Sequence, residues 1–319
     1  MNYTKTFMLI AALTALFGVI GYAIAGVGGM LIALLIAGGM NVFAYWNSDK
    51  SVLKHFQAQP VTQSQMPWLY NMVADLAHKG NMPVPKVYIM NNPQPNAFAT
   101  GRDPEHAAVA VTSGIIDILS KQELAGVIAH ELAHIQNRDT LIMTITATIA
   151  GAISTLTNIA TFSSMFGGNN RSDGTGKGGG LSPIIMIAVS MLAPLAASVV
   201  QMTISRTREY AADRMGAQIC GDPIALADAL EKIEQAVRGG QHRNQPAEKN
   251  QAMAHLFIIN PLFGKKGDAL FSTHPNTQNR IAELHKLAQN MPKKTLADSY
   301  DEGMRQHFEK KSFFESRAS

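Results

Sequence analysis

Cysteine is nearly absent, with Cys220 the only one among 319 residues. A single thiol cannot form a disulfide framework, which excludes the small secreted scaffold and agrees with a reducing compartment. Charge is also scarce. Asp, Glu, Lys and Arg make up 16% of the chain against 46% hydrophobic residues, which is too apolar for an ordinary soluble domain. No basic run is interleaved with aromatics, so nothing points to nucleic acid. No internal repeat is evident. The net charge of +4 is modest and suits a domain lying against anionic lipid.

The apolar residues fall in blocks. Residues 7–25 and 27–44 carry no charge and are separated only by small residues around Gly26. Each is close to the roughly 20 residues a helix needs to cross about 30 Å of hydrocarbon, so they predict a membrane hairpin with a very short turn. A cleaved signal peptide would explain the first block alone, but the chain re-enters an apolar run at once with no small-residue cleavage site before it. Residues 140–166 and 181–204 form a third and fourth block, joined by the polar, Gly-rich stretch 167–180. Their Ser and Thr suit packed helices, and the loop favours two further spans over a buried helical pair. Four spans are expected. Lys5, Lys50, Lys54, Arg138, Arg206, Arg208 and Arg214 gather on one side of them, whereas the loop has only Arg171 and Lys177. Both termini and the polar domain are therefore expected in the cytoplasm.

The strongest chemical signal is His130-Glu131-Leu132-Ala133-His134. On a helix, the two imidazoles share one face and can hold a metal, with Glu131 beside the first as general base. Ser120 and Glu123 have capping-box spacing, and Leu124, Val127, Ile128, Leu132 and Ile135 recur at helical intervals, so the motif lies well inside a helix. A third ligand is needed. Glu209, just past the fourth block, is the candidate, and Asp213 lies one turn later on the same face, placed to accept the second ring proton of a ligating histidine. If blocks three and four are an antiparallel pair, His134 and Glu209 emerge on the same side of the membrane.

Residues 86–90 and 107–112 read as short strands, a helix is expected around 68–79, and residues 95–101 lie between the strands. An edge strand there would pair with an extended substrate, which makes Asn96, Ala97, Phe98 and Ala99 candidate substrate contacts. His274, near Arg280, is placed to donate to the tetrahedral oxyanion, although a His before Pro is also an ordinary helix entrance. Arg280 joins the candidate substrate contacts. The polar stretch 239–250 is expected to be a loop at the cleft, and the tail from Lys293 a solvated, fraying end.

Together these residues resemble the HtpX-like membrane zinc metalloproteases. The likeness covers nearly the whole chain: two N-terminal spans, Pro95-Asn96-Ala97-Phe98-Ala99-Thr100-Gly101, the HELAH helix, a second apolar pair, Arg208-Glu209-Tyr210-Ala211-Ala212-Asp213, and Ser272-Thr273-His274-Pro275 followed by Arg280. Where this chain reads His274-Pro275-Asn276, the family often has a second proline. The resemblance implies a mainly α protein with a small β-sheet, about four transmembrane helices and a gluzincin-like protease domain. It implies one Zn2+ per chain on His130, His134 and Glu209, with Glu131 as catalytic base. It also implies a multi-pass inner-membrane endopeptidase that cleaves misfolded or damaged membrane proteins at the cytoplasmic face in envelope quality control and stress response. The expected division is a transmembrane hairpin (1–46), the first half of the catalytic domain (47–139), a second helix pair (140–204) and the second half of the catalytic domain (205–319). Two alternatives stand beside this. An intramembrane protease would embed the motif in lipid, where the flanking Lys121, Glu123, Arg138 and Asp139 are costly. A non-enzymatic zinc-binding membrane protein would have no need of Glu131.

Overall fold

Helix α1 spans Asn2–His55, but it cannot be straight. Asn41 Nδ2 donates to Thr14 Oγ1 at 2.8 Å, whereas 27 residues of straight helix would separate them by about 40 Å. The helix doubles back at Gly26, whose φ of +60° suits a residue without a side chain. The arms meet closely. A Cβ at Gly21 would collide with the carbonyl of Gly29 and with Ala33, the kind of small-residue contact that brings helix backbones together. The second arm, Gly26–Asn47, is 22 residues long and apolar enough to cross a membrane. Its large side chains, among them Leu31, Leu35, Phe43 and Trp46, face outward.

The computed structural model describes residues 2–141, 143, 206–239, 258 and 276–291. The fourth apolar block, the Gly-rich loop, His274, residues 240–250, the tail and nearly all of the third block lie outside the described residues.

After α1 comes a four-stranded sheet: β1 (Gln59–Val61), β2 (Lys86–Met90), β3 (Ala97–Gly101) and β4 (Ala107–Thr112), in the order β1-β2-β4-β3. Strands β2 and β4 are parallel and the other pairs antiparallel, with Phe98 opposite Ala110 and Ala99 opposite Val109. Strand β3 is therefore an edge. Alternation then sorts the side chains by face. Val87, Ala97, Ala99, Val109 and Val111 join the main core, while Met90, Phe98, Ala108 and Ala110 pack with Val52 and Leu53 at the foot of α1.

Helix α2 (Pro67–Lys79) starts on proline and buries Leu69, Met72, Val73, Leu76 and Ala77, one apolar stripe at helical spacing. A short α3 (Ser113–Ile118), capped by the Thr112 hydroxyl, leads to α4 (Lys121–Gln136). Both halves of the Ser120 and Glu123 capping box are formed on α4. Helices α5 (Arg206–Cys220), α6 (Pro223–Arg238) and α7 (Thr277–Asn290) complete the described chain. Lys232 on α6 reaches Glu123 at 2.7 Å, tying α6 to the start of α4. The protein is thus mostly helical with a small mixed sheet, and α4 lies at its centre with nearly every residue from Glu123 to Ile135 buried.

Candidate active site

Helix α4 is pressed on by α5 along a stripe of buried residues, Glu209, Ala212, Asp213, Gly216, Ala217 and Cys220. The stripe has helical spacing, so one face of α5 carries both carboxylates toward α4. Gly216 sets the depth of the contact. A Cβ there would stand 2.8 Å from the Cα and N of His130, a separation that only glycine allows.

The structure brings His130, His134 and Glu209 together. The two Nε2 atoms are 3.2 Å apart, and Glu209 places one oxygen 3.7 Å from His130 Nε2 and the other 3.6 Å from His134 Nε2. Among the described residues this is the one group of side chains at metal-ligating distance. Ligands about 2.05 Å from a tetrahedral zinc lie about 3.3 Å apart, close to the separations found. The far sides of the rings are also engaged. His134 Nδ1 bonds Asp139 Oδ2 at 3.2 Å, and His130 Nδ1 lies 3.0 Å from Asp213 Oδ1, in charge contact without hydrogen-bond alignment. Outer carboxylates of this kind orient imidazoles and raise their basicity as ligands.

Asp213 stands behind His130 as the sequence suggests, but the partner of His134 is a residue that sequence reasoning missed. Asp139 lies just beyond the helix, after Asn137 as its C-cap and Arg138 in the left-handed region at φ 58°. That sharp turn carries the carboxylate back under His134. The available signal is an acidic residue five positions after the second histidine and two after an Asn that can end a helix.

Glu131, Asp139, Glu209 and Asp213 are buried carboxylates around the two imidazoles, with buried Arg280 and half-buried Arg208 beside them. Two imidazole nitrogens and a carboxylate at these separations are a donor set that fits zinc. Burial lifts the Glu131 carboxyl above its ordinary range, although His130 and His134 pull the other way. Burial opposes a charged His134, but Asp139, Glu209 and Glu131 outweigh it and raise the ring to about 9. Asp213 is likewise disfavoured by burial, yet Arg280 and His130 hold it down at about 2. Cys220 is pushed up to about 11 by burial and is no nucleophile.

The remaining candidates are placed as follows. Glu131 Oε2 accepts the Ala99 N–H at 2.9 Å, so the edge strand holds the carboxylate directly. Ala97 faces the core, and Phe98 packs at a tilt against Phe56 with ring centres 5.1 Å apart. Asn96 is buried, and its Oδ1 accepts the Ile258 N–H at 3.1 Å. Arg280 is 1% exposed. Its Nε and Nη2 form a two-pronged bond to Asp213 at 2.8 and 2.6 Å, and Nη1 lies 3.6 Å from Glu209 and 3.4 Å from the Ile258 carbonyl. Asn276, where the sequence departs from the expected second proline, caps the helix that carries Arg280 by accepting from Gln278 N–H. His274 lies outside the described residues.

Two histidines one helical turn apart, a glutamate from a second helix and a carboxylate beside the first histidine define a metallopeptidase site. Family comparison agrees. The model of peptidase family M48 matches residues 63–288, a span that includes strands β2 to β4, both histidines, Glu209 and Arg280, and the chain belongs to that family. Within that family it is an HtpX-like chain, and His130, His134 and Glu209 are the residues that would hold its metal. Among solved structures, Ste24p of S. mikatae is 18% identical with a TM-score of 0.46, the match covering 89% of this chain and 64% of that one. The chain therefore spans under two thirds of the length of that relative.

Proposed function

We propose that this endopeptidase is anchored in the membrane by its apolar hairpin and cleaves misfolded or damaged membrane proteins at the cytoplasmic face of the inner membrane. One observation carries the reading. The outward-facing apolar arm ends in exposed Tyr45 and Trp46 and runs on into Val52, Leu53 and Phe56, which pack beneath the strand that holds Glu131. Aromatic residues of that kind favour the bilayer surface, so the site would lie just outside the hydrocarbon.

His130, His134 and Glu209 would hold the zinc, and a bound zinc would polarise the scissile carbonyl and acidify a water. Glu131 takes the proton of the attacking water on its carboxylate and then delivers it to the departing amine nitrogen. Burial raises the Glu131 carboxyl above its ordinary range, which favours its holding the proton between the two steps. Strand β3 would receive an extended stretch of substrate along its outer edge, giving main-chain recognition with loose sequence preference. Asn96 and Arg280 are buried and would act from behind the site, through Ile258 and Asp213. The role of His274 as a donor to the oxyanion, the second pair of spans and the cytoplasmic orientation rest on the sequence.

The test is reconstitution of the full chain in vesicles with a destabilised helical membrane protein in the same bilayer. Zinc-dependent cleavage that disappears with chelator and in Glu131→Gln supports the reading. Cleavage of soluble casein alone, with the embedded protein untouched, contradicts the proposed substrate class. Cysteine labelling at positions 51 and 175 from opposite sides fits four spans, and labelling of both from one side contradicts them.

A further inference from the structure

We propose that the hairpin does more than anchor the enzyme. It positions the catalytic carboxylate through β3, with Phe98 and the Trp46 and Arg102 pair as positioning residues. The inference rests on the reading of Glu131 given above.

Three contacts link the hairpin to Glu131. Phe98 points off β3 onto Phe56, with ring centres 5.1 Å apart, in a small cluster with Val52 and Leu53 of α1. At the end of the same strand, the Arg102 guanidinium lies over the Trp46 ring, 4.9 Å from its centre, which joins the strand tip to the base of the apolar arm. Between these two anchors Ala99, on the opposite face from Phe98, gives its N–H to Glu131 at 2.9 Å. Adjacent residues of a strand move together because the backbone between them is held in the ladder, here by pairing of β3 with β4. A shift of about 0.6 Å in β3 would stretch the Ala99 bond beyond 3.5 Å, where it ceases to act. The position of the base therefore depends on how the hairpin sits, although no hairpin residue touches the reacting groups.

The alternative for Phe98 is direct contact with substrate, and the two differ in what they change. Full-length Phe98→Ala, Trp46→Ala and Arg102→Ala are compared with wild type in vesicles, with Phe98→Leu and Trp46→Phe as conservative partners. Three quantities are read: zinc content, steady-state cleavage, and amide exchange of the peptide containing Ala99. Positioning predicts full zinc, kcat lowered by about tenfold with KM within about twofold, and recovery in Phe98→Leu and Trp46→Phe. It also predicts amide exchange in β3 that is faster by about tenfold. A raised KM at constant kcat in Phe98→Ala overturns the proposal, as does unchanged β3 exchange in all three alanine variants. Faster exchange with unaltered kcat overturns it too. Wild type that cleaves no better than Glu131→Gln would instead end the protease reading, and the exchange data would still decide the mechanical link.

Discussion

Replacing Gly216 by alanine adds one methyl group to α5 at the place where that helix crosses the metal ligands. The new carbon would meet the Cα and N of His130 at 2.8 Å and the carbonyl carbon of Ala129 at 3.1 Å. Non-bonded carbons rest at about 3.5 to 4.0 Å, so α5 would have to retreat by about 0.7 Å or more. Backbone atoms of α4 cannot swing aside as the end of a flexible side chain can. Overpacking of this kind costs about 1 to 3 kcal/mol. Removal of a helical glycine returns about 0.5 to 1 kcal/mol, so the net loss of stability is near 1 to 2 kcal/mol. The larger effect is on the site. Glu209 lies two turns away on the same stripe, and its oxygens already stand 3.6 and 3.7 Å from the imidazole nitrogens. Further separation should weaken zinc binding by at least about tenfold and cleavage by about a hundredfold. Zinc stoichiometry after dialysis against buffered zinc, with cleavage measured on the same samples, reads both. Gly126→Ala is the matched control, because its methyl would meet the backbone of Leu226 on α6, which carries no ligand. That variant should lose stability but keep zinc. A Gly216→Ala protein with wild-type zinc content and activity would refute the argument.

Loss of the carboxylate behind His134 should also show in metal binding: Asp139→Ala lowers zinc affinity by about 10- to 100-fold, whereas replacement of the exposed Asp117 of α3 by alanine leaves it unchanged, both read by competition with a chelator. Zinc needs a neutral His134, and the metal-free ring titrates at about 9. Apparent zinc affinity should therefore rise by about tenfold per pH unit from 7 toward 9, with proton release visible by calorimetry. In the metal-free protein the raised pKa adds stability that is fully present below pH 6.5 and is lost as pH rises through about 9, which denaturant titrations across that range should show. Arg280→Met leaves Asp213 buried without its two-pronged partner and should cost about 3 to 5 kcal/mol in thermal unfolding, while Arg280→Lys keeps the charge and costs less.

Much of this architecture is legible in the sequence because local rules decide it. The start of α4 follows from Ser120 and Glu123, β2 and β4 from short β-branched runs, and the bend at Gly26 from small residues between two apolar blocks. What escapes is long-range or too short to carry a pattern. Strand β1 has three residues, one of them Pro60, and is a strand only because β2 pairs with it. Asp139 reads as a charge flanking the motif, since its contact with His134 depends on the unusual turn at Arg138. Arg280 reads as a cleft residue, but its bonds to Asp213 span 67 positions, a distance over which no spacing rule applies. Residues 97–101, Ala-Phe-Ala-Thr-Gly, are all buried and carry no polar alternation, so only the packed sheet shows that Phe98 faces the hairpin.

The most direct test of the central claim compares wild type, Glu131→Gln and Glu209→Ala, purified in detergent, for zinc content and for cleavage of casein or of the chain itself. The account predicts that Glu131→Gln keeps about one zinc per chain and loses cleavage, while Glu209→Ala loses both. Cleavage by Glu131→Gln at the wild-type rate would contradict it.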